Sequence, residues 1–461
     1  MGPLRSSFFL ALVVCLAVVG RAAALPAAED IPTLFDPKTA TLDNGLQVVV
    51  LEDHRAPIVT HMVWYRVGSA DEAPLKSGIA HFLEHLMFKG TTTLAPGEFS
   101  AIVARNGGQE NAFTSYDYTA YYQNVSVDKL PLFMKMEADR MQNLQLTDEI
   151  VAPELKVVLE ERSQRTDNRP GGLFSEQFRA AQYLAHPYGT PVIGWRHELE
   201  TLTTQDAINW YNRYYAPNNA ILIVAGDVKA ADVFALAEEY YGPIPAKEIP
   251  VRQRVAEPPQ LAKRTVEMSD RRVREPSWQQ SYLGPISREA PPKQLRALEV
   301  LGRILGGGVT SRLYDQLVVD RMIATNAGAY FDSGAYDYTG FTLYASPTAD
   351  HSLDDIEAAV QAIIRDVIEN GVTEAELRRA QRQMLADAIY ARDNMQGAAN
   401  IFGAALAAGQ SIEDIVTWPR QISEVTAAEV QEASKMIFDE RRSVVGRLTP
   451  EPAATPAAPN E

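Results

Sequence analysis

The sequence predicts an α+β protein built from two homologous units in tandem, the product of an internal duplication. Three observations lead there. At 461 residues the chain exceeds what one hydrophobic core usually serves, so two domains of roughly 200 residues are expected. Strand-like and helix-like stretches are mixed along its length rather than segregated. The tetrapeptide Tyr-Asp-Tyr-Thr occurs at Tyr116–Thr119 and again at Tyr336–Thr339, inside the same order of elements at an offset of about 220 residues.

The elements follow in order. Residues 1–24 hold Arg5, an apolar run from Phe8 to Gly20 and then Ala22, Ala23 and Ala24, the three parts of a secretory signal peptide. Cleavage is expected after Ala24, with export across the inner membrane to the periplasm and no stable membrane anchor. Cys15 is the only cysteine and lies in that segment, so the mature chain forms no disulfide. A first unit is expected over 25–241. It opens with a turn at Asn44-Gly45 and two apolar strands, "LQVVVLED" and "APIVTHMVWYRVGS". An apolar helix over 77–91 follows, then a short helix, a glycine turn at Gly107-Gly108 and a strand pair rich in aromatic and threonine residues. Two helical stretches between Leu130 and Asp167 are separated by a cap at Thr147-Asp148, and "AILIVAGDV" closes the unit as a buried strand. Residues 242–263 are proline-rich, polar and aperiodic, the composition of a linker. The second unit is expected over 264–448, with "LRALEVLGRILGGG" in the place of the apolar helix and "SVVGRLTP" in the place of the closing strand. Residues 449–461 read as a disordered tail.

Apolar residues at 46% and charged residues at 22% are ordinary for a soluble globular protein, and beyond the first 24 residues no segment reaches membrane-spanning length. The formal charge of −16 becomes −18 when Arg5 and Arg21 leave with the signal peptide. Such an acidic chain is a poor partner for nucleic acid.

The stretch "SGIAHFLEHLMFKGT" puts His81, Glu84 and His85 into an otherwise apolar helix. Four residues apart, the two histidines stand one turn apart on one face, close enough to share an ion. Burying three polar groups without partners costs several kilocalories, so the trio points to something bound. The order H-x-x-E-H is the inverzincin signature, although a motif this short also arises by accident. A catalytic zinc needs a third protein ligand. The helical stretch "PELKVVLEERSQRTD" offers Glu154 and Glu161 on one face two turns apart, with Glu160 turned away; the same spacing also describes a solvated acidic face.

Together these motifs resemble the pitrilysin or insulinase family (M16) of zinc metallopeptidases, in the branch of processing peptidases and two-domain bacterial relatives. The resemblance runs from about Phe35 to Leu448. It includes a third ligand about 76 residues after the H-x-x-E-H motif, the strand "GGQENAFTSYDYTAYY" and the element "GGGVTSRLYDQL". It implies one half of a clamshell peptidase with one Zn2+ per chain, held by His81, His85 and Glu161. It further implies Glu84 as general base and Glu154 as a carboxylate orienting a ligand, both counted with the catalytic set. An edge strand at Asn111, Ala112 and Phe113 would pair with an extended peptide substrate.

The family also grips the substrate carbonyl with an arginine and a tyrosine seven residues apart. Aligned on "RLYDQLVVDRMIATNAGAY", these positions carry Val318 and Thr325, while Arg321 and Tyr330 are wrongly spaced. The resemblance therefore implies a heterodimer in which this chain bears the zinc and a homologous subunit supplies the arginine and tyrosine. A silent structural subunit and a zinc carrier are the two other classes, and the intact zinc residues argue against the first.

Overall fold

The computed structural model describes residues 33–451; the expected signal peptide, Cys15 and residues 452–461 lie outside them. The strands are β1 (Lys38–Thr41), β2 (Gln47–Glu52), β3 (Ile58–Tyr65), β4 (Gln109–Thr114), β5 (Thr119–Ser126), β6 (Ala220–Gly226), β7 (Arg264–Asp270), β8 (Ser277–Ile286), β9 (Ala324–Asp332), β10 (Tyr338–Pro347) and β11 (Ser443–Pro450). They form two sheets, in the orders β1-β2-β6-β3-β5-β4 and β7-β11-β8-β10-β9. Without β1 the two orders are the same. In each sheet the last strand in sequence slots between the first two, parallel to one (β6 to β2, β11 to β7) and antiparallel to the other (β6 to β3, β11 to β8). The α+β class and the duplication are therefore written in the topology.

Local sequence accounts for most elements. All seven residues of β6 are buried, matching the unbroken apolar run of a strand covered on both faces. Strand β1 was not anticipated: its sequence, Lys-Thr-Ala-Thr, is mostly exposed at the sheet edge and carries no apolar alternation. Strand β11 reaches Pro450, two residues past the expected end of the second unit, because Thr449 and Pro450 pair with Ser269 and Asp270.

Four helices of the first unit matter for the site: α1 (Ile79–Leu86), α2 (Glu98–Arg105), α3 (Leu130–Asn143) and α4 (Asp148–Arg162). They cover one face of the first sheet around a core that includes Val63, Phe82, Leu83, Phe133, Tyr121 and Leu222. A second core lies between the other sheet and the helices Pro292–Gly306 and Leu353–Asn370.

The outer face of each sheet is covered from the opposite unit. The helix Met395–Ala407 brings Ala398, Ala399, Phe402 and Leu406 onto Val49, Met62, Trp64 and Ile223 of the first sheet. Its Gly403 sits so close to the Trp64 indole that a Cβ would overlap the ring. Reciprocally, the helix Pro170–Gln182 lays Phe174 and Phe178 against Gly446 of β11.

No helix or strand forms between Tyr240 and Arg264, yet this stretch is fastened rather than free. The Arg254 side chain is 5% exposed and bridges Asp71 (3.2 Å), Asp117 (2.9 Å) and Asp337 (3.4 Å). The Glu257 carboxylate accepts the backbone N–H groups of Leu184, Ala185 and His186. Composition alone cannot distinguish a free tether from one whose charges are buried pairwise. Among the described residues no helix is long and apolar enough to cross a membrane.

Candidate metal centre

Helix α1 begins at Gly78, whose φ of 89° and close approach to the Ile193 carbonyl leave no room for a Cβ. The Glu72 carboxylate accepts the N–H groups of Gly78 and Ala80, so the orphan donors of the first turn are satisfied inside the protein. Phe82, Leu83 and Leu86 are fully buried. Apolar packing on three sides turns His81 and His85 toward α4, with their ring centroids 4.9 Å apart.

Glu161, one residue before the end of α4, meets both. Its Oε2 is 3.1 Å from His85 Nε2 and its Oε1 is 3.8 Å from His81 Nε2. One ligand atom from each of the three residues falls within a 4.8 Å cluster. Two imidazoles and a carboxylate converging in this way suit zinc, and the buried Nδ1 of His81 has no hydrogen-bond partner. Glu160 is exposed and bonds Gln164 instead.

The electrostatics fit cation binding. Burial, followed by the neighbouring His85, lowers the His81 pKa to about 4, keeping that ring neutral. Burial would also lower that of His85, but hydrogen bonds to Glu154 and Glu161 prevail and raise it to about 9. The two carboxylates thus favour positive charge between the His85 ring and Glu161. Glu154 Oε1 accepts from His85 Nδ1 at 2.9 Å, and its Oε2 pairs with Lys89 at 2.5 Å. A carboxylate on the far ring nitrogen is the usual way a ligand histidine is oriented.

Glu84 is 8% exposed, and burial raises its pKa, opposed by the Thr114 hydroxyl, which donates to Oε2 at 2.5 Å. A carboxylate with raised proton affinity beside residues that could hold a metal ion is suited to moving protons.

Thr114 closes β4, one of the two edge strands of the first sheet. On that edge the Ala112 N–H donates to Oδ1 of Asn111 (2.9 Å), a bond that an added strand would compete for. Phe113 differs from its neighbours: its ring packs edge-on against Trp64, 5.2 Å between centroids, in the core on the other face. In the β4–β5 register Phe113 is paired with Ala120, and it is the intervening Ala112 whose N–H is turned outward.

Three contacts escaped the sequence reading. Lys89 is four residues beyond His85, a helical spacing that carried a signal; Thr114 reaches Glu84 across 30 residues and had none. Arg165 pairs with Glu161 Oε1 at 2.6 Å, four residues along the same helical path. In the second unit, Val318 packs against the core and Thr325 donates to the Ser346 carbonyl, so neither offers an unengaged donor.

Comparison with known proteins gives the family and the fold. Residues 47–195 match the family model "Insulinase (Peptidase family M16)", and residues 201–384 match "Peptidase M16 inactive domain". The zinc protease PqqE of Helicobacter pylori is 31% identical over 417 residues, covering 90% of this chain and 93% of that protein. An uncharacterized zinc protease of Mycobacterium tuberculosis is 30% identical, covering 88% and 91%. Among solved structures, a protease from Helicobacter pylori superposes with a TM-score of 0.84 at 30% identity, over 90% of this chain and 99% of that one. The fold also matches the periplasmic protease PqqL of Escherichia coli (TM-score 0.75, 18% identity), but covers only 48% of that longer chain.

Proposed function

The chain belongs to the insulinase (M16) peptidase family, and on that premise we propose that it is a zinc-dependent endopeptidase of the H-x-x-E-H type, acting on extended peptides or unfolded polypeptides. The observation that carries this reading is the convergence of His81, His85 and Glu161 beside a buried Glu84. Zinc at such a set supplies Lewis acidity toward water and toward a peptide carbonyl at neutral pH.

The chain's own residues do the rest. Glu84 accepts the proton of the attacking water and returns it to the leaving amine, with Thr114 fixing the carboxylate's orientation. Glu154, itself held by Lys89, keeps His85 presenting Nε2. The edge at Asn111, Ala112 and Phe113 takes the substrate as an added strand. Main-chain pairing tolerates many sequences, which suits a broad peptide substrate.

The test is zinc content together with cleavage of a quenched peptide, with and without Glu84→Gln. An endopeptidase binds one zinc per chain and cleaves, and Glu84→Gln stops cleavage while zinc stays. A carrier binds zinc without cleaving, and a silent subunit does neither.

The engaged side chains at 318 and 325 support a second element of the reading. The chain acts in the periplasm, after removal of residues 1–24, as the zinc-bearing subunit of a heterodimer whose homologous partner supplies an arginine and a tyrosine to the substrate carbonyl. A valine donates no hydrogen bond, and losing one oxyanion donor typically costs about a hundredfold or more in rate. Solution mass and specific activity, measured alone and with co-expressed family members, test it; full activity as a lone monomer or homodimer would refute it.

A further inference from the structure

Arg165 stands beside the metal cluster in a turn built differently from the helix it extends. After Arg162, residues Ser163–Asp167 form a π-helical turn, closed by the Asn168 N–H donating to the Ser163 carbonyl at 2.8 Å. Such widened turns are frequent at functional sites, although the second unit also has one, at Asp315–Asp320. Both ends of this one are pinned. Arg162, 4% exposed, forks onto Glu176 and donates to the Gly194 carbonyl, while Arg196 donates to Ser163 Oγ (3.1 Å) and Asp167 Oδ2 (2.9 Å). Between the pins Arg165 returns to Glu161, placing Nη1 2.6 Å from Oε1 with 71% of its own side chain exposed.

An ion pair that exposed contributes little to stability. Its position does something else. Glu161 has two oxygens: Oε2 faces His85 Nε2 at 3.1 Å, while Oε1 lies farther off, 3.8 Å from His81 Nε2, and is the one Arg165 holds at 2.6 Å. A carboxylate giving both oxygens to the metal would fill the fourth position, which a catalytic zinc reserves for water. We propose that Arg165 is a positioning residue that confines Glu161 to one metal-facing oxygen and so keeps a coordination place open for water. The inference rests on the zinc reading of this site.

The test substitutes Arg165→Met and Arg165→Lys in the full mature chain and reads metal binding separately from turnover. Zinc affinity is measured by competition with a chromogenic chelator, and coordination by the visible absorption of the Co2+-substituted protein, which weakens as ligands are added. In Arg165→Met the expected result is a weaker Co2+ band, zinc affinity equal to or above that of the wild type, and kcat at least tenfold lower at unchanged KM. Arg165→Lys, which keeps a cation near Oε1, should retain most of the wild-type band. An unchanged band in Arg165→Met overturns the inference. So does a ten- to hundredfold loss of zinc affinity with the band shape preserved, the mark of a residue that only orients a ligand. A wild-type chain that takes up neither zinc nor Co2+ overturns the zinc reading itself, and is told apart from the other two outcomes before any variant is made.

Discussion

Asp117 and Asp337 hold the same position in the two repeats of Tyr-Asp-Tyr-Thr, and one guanidinium, that of Arg254, lies between them. Around this pair the units are joined by buried polar groups. Tyr188 donates its hydroxyl to Asp117 at 2.5 Å and accepts the N–H of Asp337, and Arg288 pairs with Asp337 from the other side. The recurring tetrapeptide is thus the joint between the copies.

Arg254→Met should be among the most destabilising single changes outside the cores. It leaves Asp71, Asp117 and Asp337 buried with fewer counter-charges, a loss on the order of 3–5 kcal/mol. Chemical denaturation measures it, with the exposed Arg441→Met as a control expected to leave the midpoint unchanged.

The same joint makes stability fall in acid. His186 is neutral: its Nδ1 accepts the Tyr188 N–H and its Nε2 lies 3.2 Å from Asp337. Burial, then Arg254, lowers its pKa to about 4, against Asp117 and Glu257. The unfolded chain, near the ordinary value of about 6.5, binds the proton first, so stability is intact above pH 6.5 and drops as pH falls toward 4, by at most about 3 kcal/mol. Denaturant midpoints across that window should fall, and His186→Asn should flatten the slope; equal slopes would remove His186 as the cause.

Elemental analysis separates the three ligands from their neighbours. His81→Ala, His85→Ala and Glu161→Gln should each reduce zinc from one per chain to near zero, since two ligands rarely hold a catalytic zinc. Glu160→Gln should keep it, because that side chain bonds only Gln164.

Glu154→Gln and Lys89→Met should each weaken zinc binding about ten- to hundredfold without unfolding the chain, since both act on the orientation of His85. Chelator competition reads the affinity and circular dichroism the fold. Normal affinity in both variants would leave the Lys89–Glu154 pair no part in holding His85.

Gly78→Ala should cost about 1–3 kcal/mol and shift the start of α1, because position 78 has a left-handed φ and faces the Ile193 carbonyl and the Leu199 side chain. Thermal melts of the metal-free chain isolate the backbone term from metal binding.

Much of this molecule was legible before its structure. The trio on α1 stood out because polar residues interrupt an apolar run, and Glu161 because a family spacing reaches it. Helical spacing alone could not separate Glu161 from an acidic surface; that needed α4 to pack against α1. Thr114 was invisible, since its contact with Glu84 depends on where an edge strand passes a helix. Phe113 was half legible: strand propensity placed the backbone, but nothing local told which face its ring would take. Arg254 was hidden by its surroundings, because charge in a proline-rich stretch reads as solvated until three aspartates from both units are brought to it.

The helices Pro170–Gln182 and Met395–Ala407 each leave their own unit to cover the other's sheet. That reciprocal trade has the form of a two-fold dimer with exchanged arms, whose subunits have been sewn into one chain by the stretch between Tyr240 and Arg264. A dimer of separate chains falls apart on dilution and must stay symmetric, because one sequence serves both sides. Joined in one chain, the partners meet at an effective concentration that dilution cannot lower. Each copy is then free to change alone. The first carries a histidine-bearing helix, while its counterpart at Pro292–Gly306 has no histidine.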